Sequence, residues 1–179
     1  MSKNAESIAK LFAAAKAAQA NAYAPYSRFK VGAALRTPSG AIFAGCNVEN
    51  ASYPEGVCAE TSAISAMTLA GERRIAEICV IGDGEGLCTP CGGCRQRIRE
   101  FADVGALIHV AGPEGVRKTF LLSDLLPESF GPTRTVRGRS WTSTCCRPLK
   151  LSILTLWITE DPPLSLRRPE RSSERRRSS

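Results

Sequence analysis

The chain has 179 residues, 43% of them hydrophobic, and carries 24 Lys+Arg against 17 Asp+Glu, a net +7. That length and apolar content suit one soluble globular domain with a sizeable core. Divided along the chain, the charge argues against a specific nucleic-acid-binding body: residues 1–132 hold 13 basic and 13 acidic side chains, so the whole excess lies in 133–179. A basic tail of that kind implies solvation or weak, salt-sensitive contact with polyanions.

The N-terminus runs straight into an amphipathic pattern without the apolar core of a signal peptide, so export is not expected. The longest apolar stretch, Leu149 to Ile158, is shorter than the ~20 residues a membrane-spanning helix needs, so no membrane partner is expected either. Eight cysteines without a secretory signal point to a reducing, cytoplasmic compartment, where Cys-x-x-Cys spacings favour metal over disulfide.

From Asn4 to Ala22, Ile8, Leu11, Phe12, Ala15 and Ala18 recur at helical intervals in an alanine-rich background, which predicts a helix with Asn4 or Ser7 as its N-cap. Phe29 to Thr37 and Ala41 to Cys46 read as strands of an antiparallel hairpin turned by Pro38-Ser39-Gly40. The polar segment 47–56 is a loop leading to a helix that begins near Cys58 and stops at Gly71. A strand over Ile75 to Ile81, a flexible glycine-rich turn over 82–86, and a helix from Cys91 to Phe101 follow. Strands over Ala106 to Ala111 and Val116 to Phe120 come next, then a short helix capped by Ser123 and ending before Pro127. This order predicts a three-layer α/β fold, helix/mixed sheet/helix, of about five strands. After Pro132 periodicity fades into an Arg- and Ser-rich tail, 133–179, whose end is low in complexity and predicts disorder.

Two stretches carry the chemistry, Cys58-Ala59-Glu60 and Pro90-Cys91-Gly92-Gly93-Cys94. Three thiolates can hold one zinc ion and leave its fourth position to water, and a carboxylate two residues from one ligand can handle that water's protons. The pattern ligand-x-Glu followed by Pro-Cys-x-x-Cys is that of zinc deaminases. Both stretches are expected at helix N-termini, where the dipole and free N–H groups favour thiolate. Cys88 forms a second Cys-x-x-Cys spacing with Cys91, so a closed four-cysteine structural site is the competing reading. Cys46, Cys79 and His109 read as core residues of strands, and Cys145-Cys146 as an exposed tail pair.

Three further stretches fall in the order and pattern of one family: Tyr26-Ser27-Arg28-Phe29-Lys30-Val31-Gly32-Ala33-Ala34, Asn47-Val48-Glu49-Asn50-Ala51-Ser52-Tyr53, and Leu125-Leu126-Pro127-Glu128-Ser129-Phe130-Gly131. With them, residues 1–132 resemble a cytidine deaminase of the small, homotetrameric, zinc-dependent type. The resemblance implies one zinc per chain on Cys58, Cys91 and Cys94, Glu60 as the proton-transfer residue, and a nucleoside substrate. It further implies that Asn47 and Glu49 hydrogen-bond the ribose, that Phe29 stacks on the pyrimidine and Ala59 borders the substrate, and that Ala51, Tyr53 and Phe130 reach a neighbouring subunit's site. Thr61 stands where many members of that family place Arg beside the thiolates, and Arg95 is the candidate to replace that charge. The other functions weighed are an aminonucleoside antibiotic deaminase of the blasticidin type, a nucleic-acid deaminase of the same fold, and a zinc-stabilised interaction protein without catalysis.

Overall fold

A computed structural model describes residues 3–132. The elements run α1 (Lys3–Ala20), β1 (Val31–Arg36), β2 (Ile42–Cys46), α2 (Ala59–Leu69), β3 (Ile75–Gly82), α3 (Gly92–Phe101), β4 (Ala102–Gly112), β5 (Gly115–Leu121) and α4 (Leu122–Leu125). The five strands form one sheet in the order β2-β1-β3-β4-β5. β1 is antiparallel to both β2 and β3, β3 and β4 are parallel, and β4 and β5 are antiparallel. A mixed sheet results because the two hairpins need only tight turns, whereas the parallel β3–β4 pair requires α3 as its crossover.

Strand alternation divides the core into two faces. Ala33, Leu35, Ile78, Val80 and Ile108 pack with Ala63 and Met67 of α2, Ile98 of α3 and Leu122 of α4. Ala34, Cys79, Ile81 and Ala111 pack against Leu11 and Ala15 of α1. The three layers expected from the sequence are therefore present, with α1 alone on one side. Small residues in β1 and β2 let the helices come close. A Cβ at Gly32 would overlap the Ala15 carbonyl of α1, and one at Gly45 would overlap the backbone at Ala63 in α2.

Several boundaries differ from the sequence reading. α1 already includes Asn4 and Ser7, so neither is its cap. α4 is entered through Leu121 and not Ser123, because the Asp124 carboxylate accepts the otherwise free Leu121 N–H at 2.9 Å and Ser123 lies inside the first turn. β4 starts at Ala102, straight out of α3, since Ala102 already pairs with Ile75 before a register shift. Cys79 is fully buried, whereas Cys46 is only partly so and sits 3.6 Å from the Asn21 carbonyl. Cys145, Cys146 and the tail lie outside the described residues. No described helix is long and apolar enough to cross a membrane.

Candidate metal centre and its cleft

Both helices of the chemical motif begin at a cysteine. Cys58 precedes the first turn of α2 with φ −73° and ψ 152°, and Cys91 precedes that of α3 with φ −65° and ψ 166°. Extended backbone at these caps places each cysteine at the positive end of a helix, where the dipole favours thiolate, and the Cys91 side chain caps its helix directly. Cys91 Sγ accepts the Cys94 N–H at 3.4 Å. Ser62 ties the first turn of α2 to β2 by donating to the Cys46 carbonyl at 3.0 Å. Arg95 braces the approach to Cys91, donating to Pro90 O (2.7 Å), Leu125 O (2.9 Å) and Thr89 Oγ1 (3.3 Å).

This scaffold brings the Sγ atoms of Cys58, Cys91 and Cys94 within 4.8 Å of one another. Cys58 and Cys91 are 3.9 Å apart, and a tetrahedral zinc with Zn–S bonds near 2.3 Å sets its sulfurs about 3.8 Å apart, so the set fits one ion. Hydrogen bonding from Cys94 draws the Cys58 thiol down to about 6, against burial and the Glu60 charge, while the same bond holds the proton on Cys94 and pushes its thiol up. Cys88 stands apart from the cluster. It lies over the end of β3, its Sγ 2.6 Å from where a Cβ on Gly82 would lie and the Phe29 Cζ 3.2 Å from the same point, and burial pushes its thiol up to about 11. The four-cysteine reading therefore fails in geometry as well as in charge.

Glu60, the second residue of α2, is 4% exposed. Burial pushes its carboxyl above the usual range, partly opposed by its own backbone, by hydrogen bonding with Cys94 and by the field of Arg97. A carboxyl in that state can hold a proton and release it, the property a shuttle between water and substrate needs. Ala59, fully buried beside it, packs into the core under α2. Arg95 does not supply the charge absent at position 61, because its guanidinium is directed to carbonyls of the Pro90 loop and of Leu125. Thr61 Oγ1 lies 3.9 Å from Cys94 Sγ, and Arg97 is the cation whose field reaches both Cys58 and Glu60.

A cleft of about 410 Å³ is lined by Tyr26, Ser27, Glu49, Asn50, Tyr53 and Gly56, and Gly56 precedes Cys58 by two residues in the chain. Backbone bridges join Tyr23 to Val48 and Val48 to Val57, next in the chain to the lining residues Glu49 and Gly56. Glu49 Oε2 accepts the amides of Tyr26 (2.8 Å) and Ser27 (3.2 Å), and the Ser27 hydroxyl first among these partners holds the carboxyl below its usual range. These bonds, with Phe29 N donating to Ser27 Oγ at 3.0 Å, offset the left-handed backbone at Arg28 (φ 58°) that turns the chain toward Phe29. Asn47 then clamps the strand entry, accepting from Val31 N at 2.8 Å and donating to Phe29 O at 2.9 Å. Tyr26 and Tyr53 meet edge to face at 5.9 Å.

Of the residues singled out from the sequence, Cys58, Cys91, Cys94 and Glu60 converge, and Glu49 and Tyr53 line the cleft. Asn47 and Phe29 are outside that lining and are joined by the Asn47 amide and the Phe29 carbonyl. Ala51 is exposed outside the lining, and Phe130, 67% exposed, has its carbonyl held by Gln96 Nε2 at 2.8 Å. Sequence reasoning passes over Tyr26, Ser27 and Asn50 as lining residues, although all three stand inside the quoted motifs. It also misses Arg97, four residues beyond Gly93 and therefore one helical turn from the ligand turn.

Comparison with known proteins places these features in a family. The family model for the cytidine and deoxycytidylate deaminase zinc-binding region matches residues 5–110. The chain is 39% identical over 123 residues to a cytidine deaminase of Sporosarcina psychrophila, covering 69% of this chain and 90% of that one. To a cytidine deaminase of Mycobacterium tuberculosis it is 44% identical over 115 residues, covering 64% and 82%. A crystal structure of cytidine deaminase from Burkholderia pseudomallei superposes with a TM-score of 0.64 at 44% identity, covering 73% of this chain and all of that one. Because the matched span contains both cysteine stretches and runs through most of each relative, the chain belongs to the cytidine and deoxycytidylate deaminase family.

Proposed function

We propose that the chain is a zinc-dependent hydrolase that deaminates cytidine and deoxycytidine to uridine and deoxyuridine with release of ammonia, serving pyrimidine salvage in the cytoplasm. The observation that carries this reading is the convergence of three thiols on one point, with a buried carboxyl two residues from one of them. Cys58, Cys91 and Cys94 hold one zinc per chain, which supplies the Lewis acidity that makes a water acidic near neutral pH. Glu60 takes the water's proton and delivers it to the ring nitrogen beside C4 as the oxygen adds to C4. The same carboxyl then takes the proton of the new C4 hydroxyl and passes it to the amino group, which leaves as ammonia as the C4–N bond breaks and the C4 carbonyl forms.

Phe29 stacks on the pyrimidine, Ala59 borders it, and Asn47 and Glu49 bind the ribose. Asn47 is already half engaged by Phe29 and Val31, so it serves both the strand and the sugar. A carboxylate at the ribose disfavours a phosphate, which makes nucleotides poor substrates. The outward side chains of Tyr53 and Phe130, 76% and 67% exposed, together with Ala51, support a homotetramer in which neighbours complete each other's sites. Residues 1–132 form the catalytic unit, and 133–179 a tail without part in the chemistry. A polynucleotide enzyme would need a basic groove with stacking aromatics, and the balanced charge of 1–132 does not favour one.

The test is loss of ultraviolet absorbance with purified protein on cytidine, deoxycytidine, cytosine and cytidine monophosphate. Both nucleosides are expected to react, with the base and nucleotide far slower. Absence of ammonia release from either nucleoside would contradict the assignment.

A further inference from the structure

Phe29 is held from one face by Asn47. From the other face the peptide that follows it is held by a residue of the first helix. Gln19, near the end of α1, is 9% exposed. Its Nε2 donates to the Lys30 carbonyl at 3.0 Å and to Asp83 Oδ1 at 3.0 Å. Both protons of one buried amide are thus used, and they join two segments that are 53 positions apart in the chain. Lys30 lies in the entry to β1 that carries Phe29, and Asp83 begins the loop that carries Cys88 and then Cys91. Gly32 leaves the room this needs, since a Cβ there would lie 2.6 Å from Gln19 N and 2.8 Å from Gln19 Cβ.

The partner loop is itself fixed, so Asp83 is a stationary acceptor. Arg117 of β5 donates to Gly84 O and Gly86 O, each at 2.7 Å, while its Nη2 donates to Glu114 at 3.1 Å. Phe29 and Cys88 both come close to Gly82, between these anchors. The spacing between the Phe29 and Cys88 segments therefore depends on how closely Lys30 and Asp83 are drawn together. A hydrogen-bonded buried amide sets that separation more sharply than apolar packing, because its two acceptors must both stay within about 3 Å.

We propose that Gln19 is a positioning residue for the deaminase site, a buried clasp that draws the Phe29 wall and the Cys88 loop together and so sets the affinity for the pyrimidine ring. The inference rests on the reading that Phe29 stacks on the substrate base. A contact that acts on ground-state stacking is felt in KM more than in kcat.

The test is steady-state kinetics on cytidine with zinc-loaded full chain, comparing Gln19→Leu, Asp83→Ala, Asp83→Asn and Phe29→Ala, with zinc content and melting temperature measured alongside. Gln19→Leu and Asp83→Ala are each expected to raise KM about fivefold, the worth of a typical hydrogen bond, with kcat and zinc content little changed. Asp83→Asn keeps the acceptor oxygen and is expected to match the parent. Asp83 is exposed, so its variants test the clasp even if Gln19→Leu folds poorly. Melting temperatures that fall while KM stays at the parental value in Asp83→Ala would overturn the proposal and leave Gln19 a purely structural residue. If Phe29→Ala also leaves KM unchanged, the stacking reading itself fails. If Phe29→Ala raises KM and Asp83→Ala does not, only the clasp is wrong.

Discussion

Glu60 is a buried carboxyl and Glu77 a partly buried one, on opposite faces of one sheet, and their environments push them in opposite directions. On the α1 face, Glu77 accepts from Arg36 Nε at 2.7 Å through one oxygen and faces His109 Nε2 at 3.0 Å through the other. The outer ends of this chain of bonds are also satisfied, since His109 Nδ1 meets Thr119 Oγ1 at 2.9 Å and Arg36 donates to Ser7 O at 2.5 Å. Burial alone would raise Glu77, yet the bonds from Arg36 and His109 outweigh it and hold the carboxyl below its usual range. Glu60, in the first turn of α2, has no such pair of partners and is pushed up. A carboxyl that stays charged serves the fold. One whose charge is left partly uncompensated is free to move protons, and divergent environments of this kind separate structural from chemical acids.

The largest effect is expected at the metal centre. Cys94→Ala should remove bound zinc, from about one per chain to none, and reduce cytidine turnover to background, because three protein ligands are the minimum for a catalytic site of this type. Cys88→Ala should keep both. Zinc content by atomic absorption decides this, and loss of metal in Cys88→Ala would blur the boundary drawn between the reactive cysteines and their neighbours.

At the other carboxyl, Glu77→Gln should cost about 3 kcal/mol of folding stability, since it leaves Arg36 charged and partly buried without its counter-ion. Turnover of the folded fraction should stay unchanged, as measured by urea melts beside kinetics. The pH dependence follows from the direction of the shift. A carboxyl held below its ordinary 4.5 in the fold stabilises fully above that value and loses its contribution as pH falls through the folded one. The parent should therefore lose stability on acidification below about 4.5 more steeply than Glu77→Gln.

How much of this contrast is visible in sequence depends on whether a role is local. Cys58 and Cys91 cap helices that the apolar pattern and Gly71 delimit, so their place and approximate facing follow from spacing alone. The hairpin, too, is written in Pro38-Ser39-Gly40. Tertiary partners are not written this way. Nothing in the spacing of Arg95 tells that it turns to Leu125 O while Arg97 faces the cysteines, because both are arginines on one helix separated by half a turn. Gln19 looks like any polar residue of an alanine-rich helix until Lys30 and Asp83 are folded against it. His109 is legible as structural from its apolar neighbours, but Glu77 and Arg36 are not visible as its partners, since they come from two other strands. The entry to α4 eludes the sequence because an acid in the first turn can replace a cap, and spacing alone offers Ser123 and Asp124 equally.

The smallest effect is expected at the tail. Residues 133–179 carry the entire net +7 and contain none of the five family motifs. A chain ending at Pro132 should therefore keep cytidine turnover within about twofold, the range of surface changes. A chain ending at Ser129 loses Phe130 as well and should lose both activity and assembly, read by kinetics and size-exclusion chromatography. Inactivity of the Pro132 chain beside an active full chain would make the tail part of the catalytic unit.

The claim that Glu60 is the uncompensated acid at the centre of the chemistry is tested most directly by Glu60→Gln, assayed for cytidine turnover and zinc content in the same preparation. The side chain keeps its size and place, so zinc should remain at the parental level and the melting temperature should not fall. Turnover should drop by about 10²-fold to 10⁴-fold, the usual contribution of a positioned acid-base group. Zinc retained with turnover near the parental rate would contradict that claim, because the proton would then be moving through some other group.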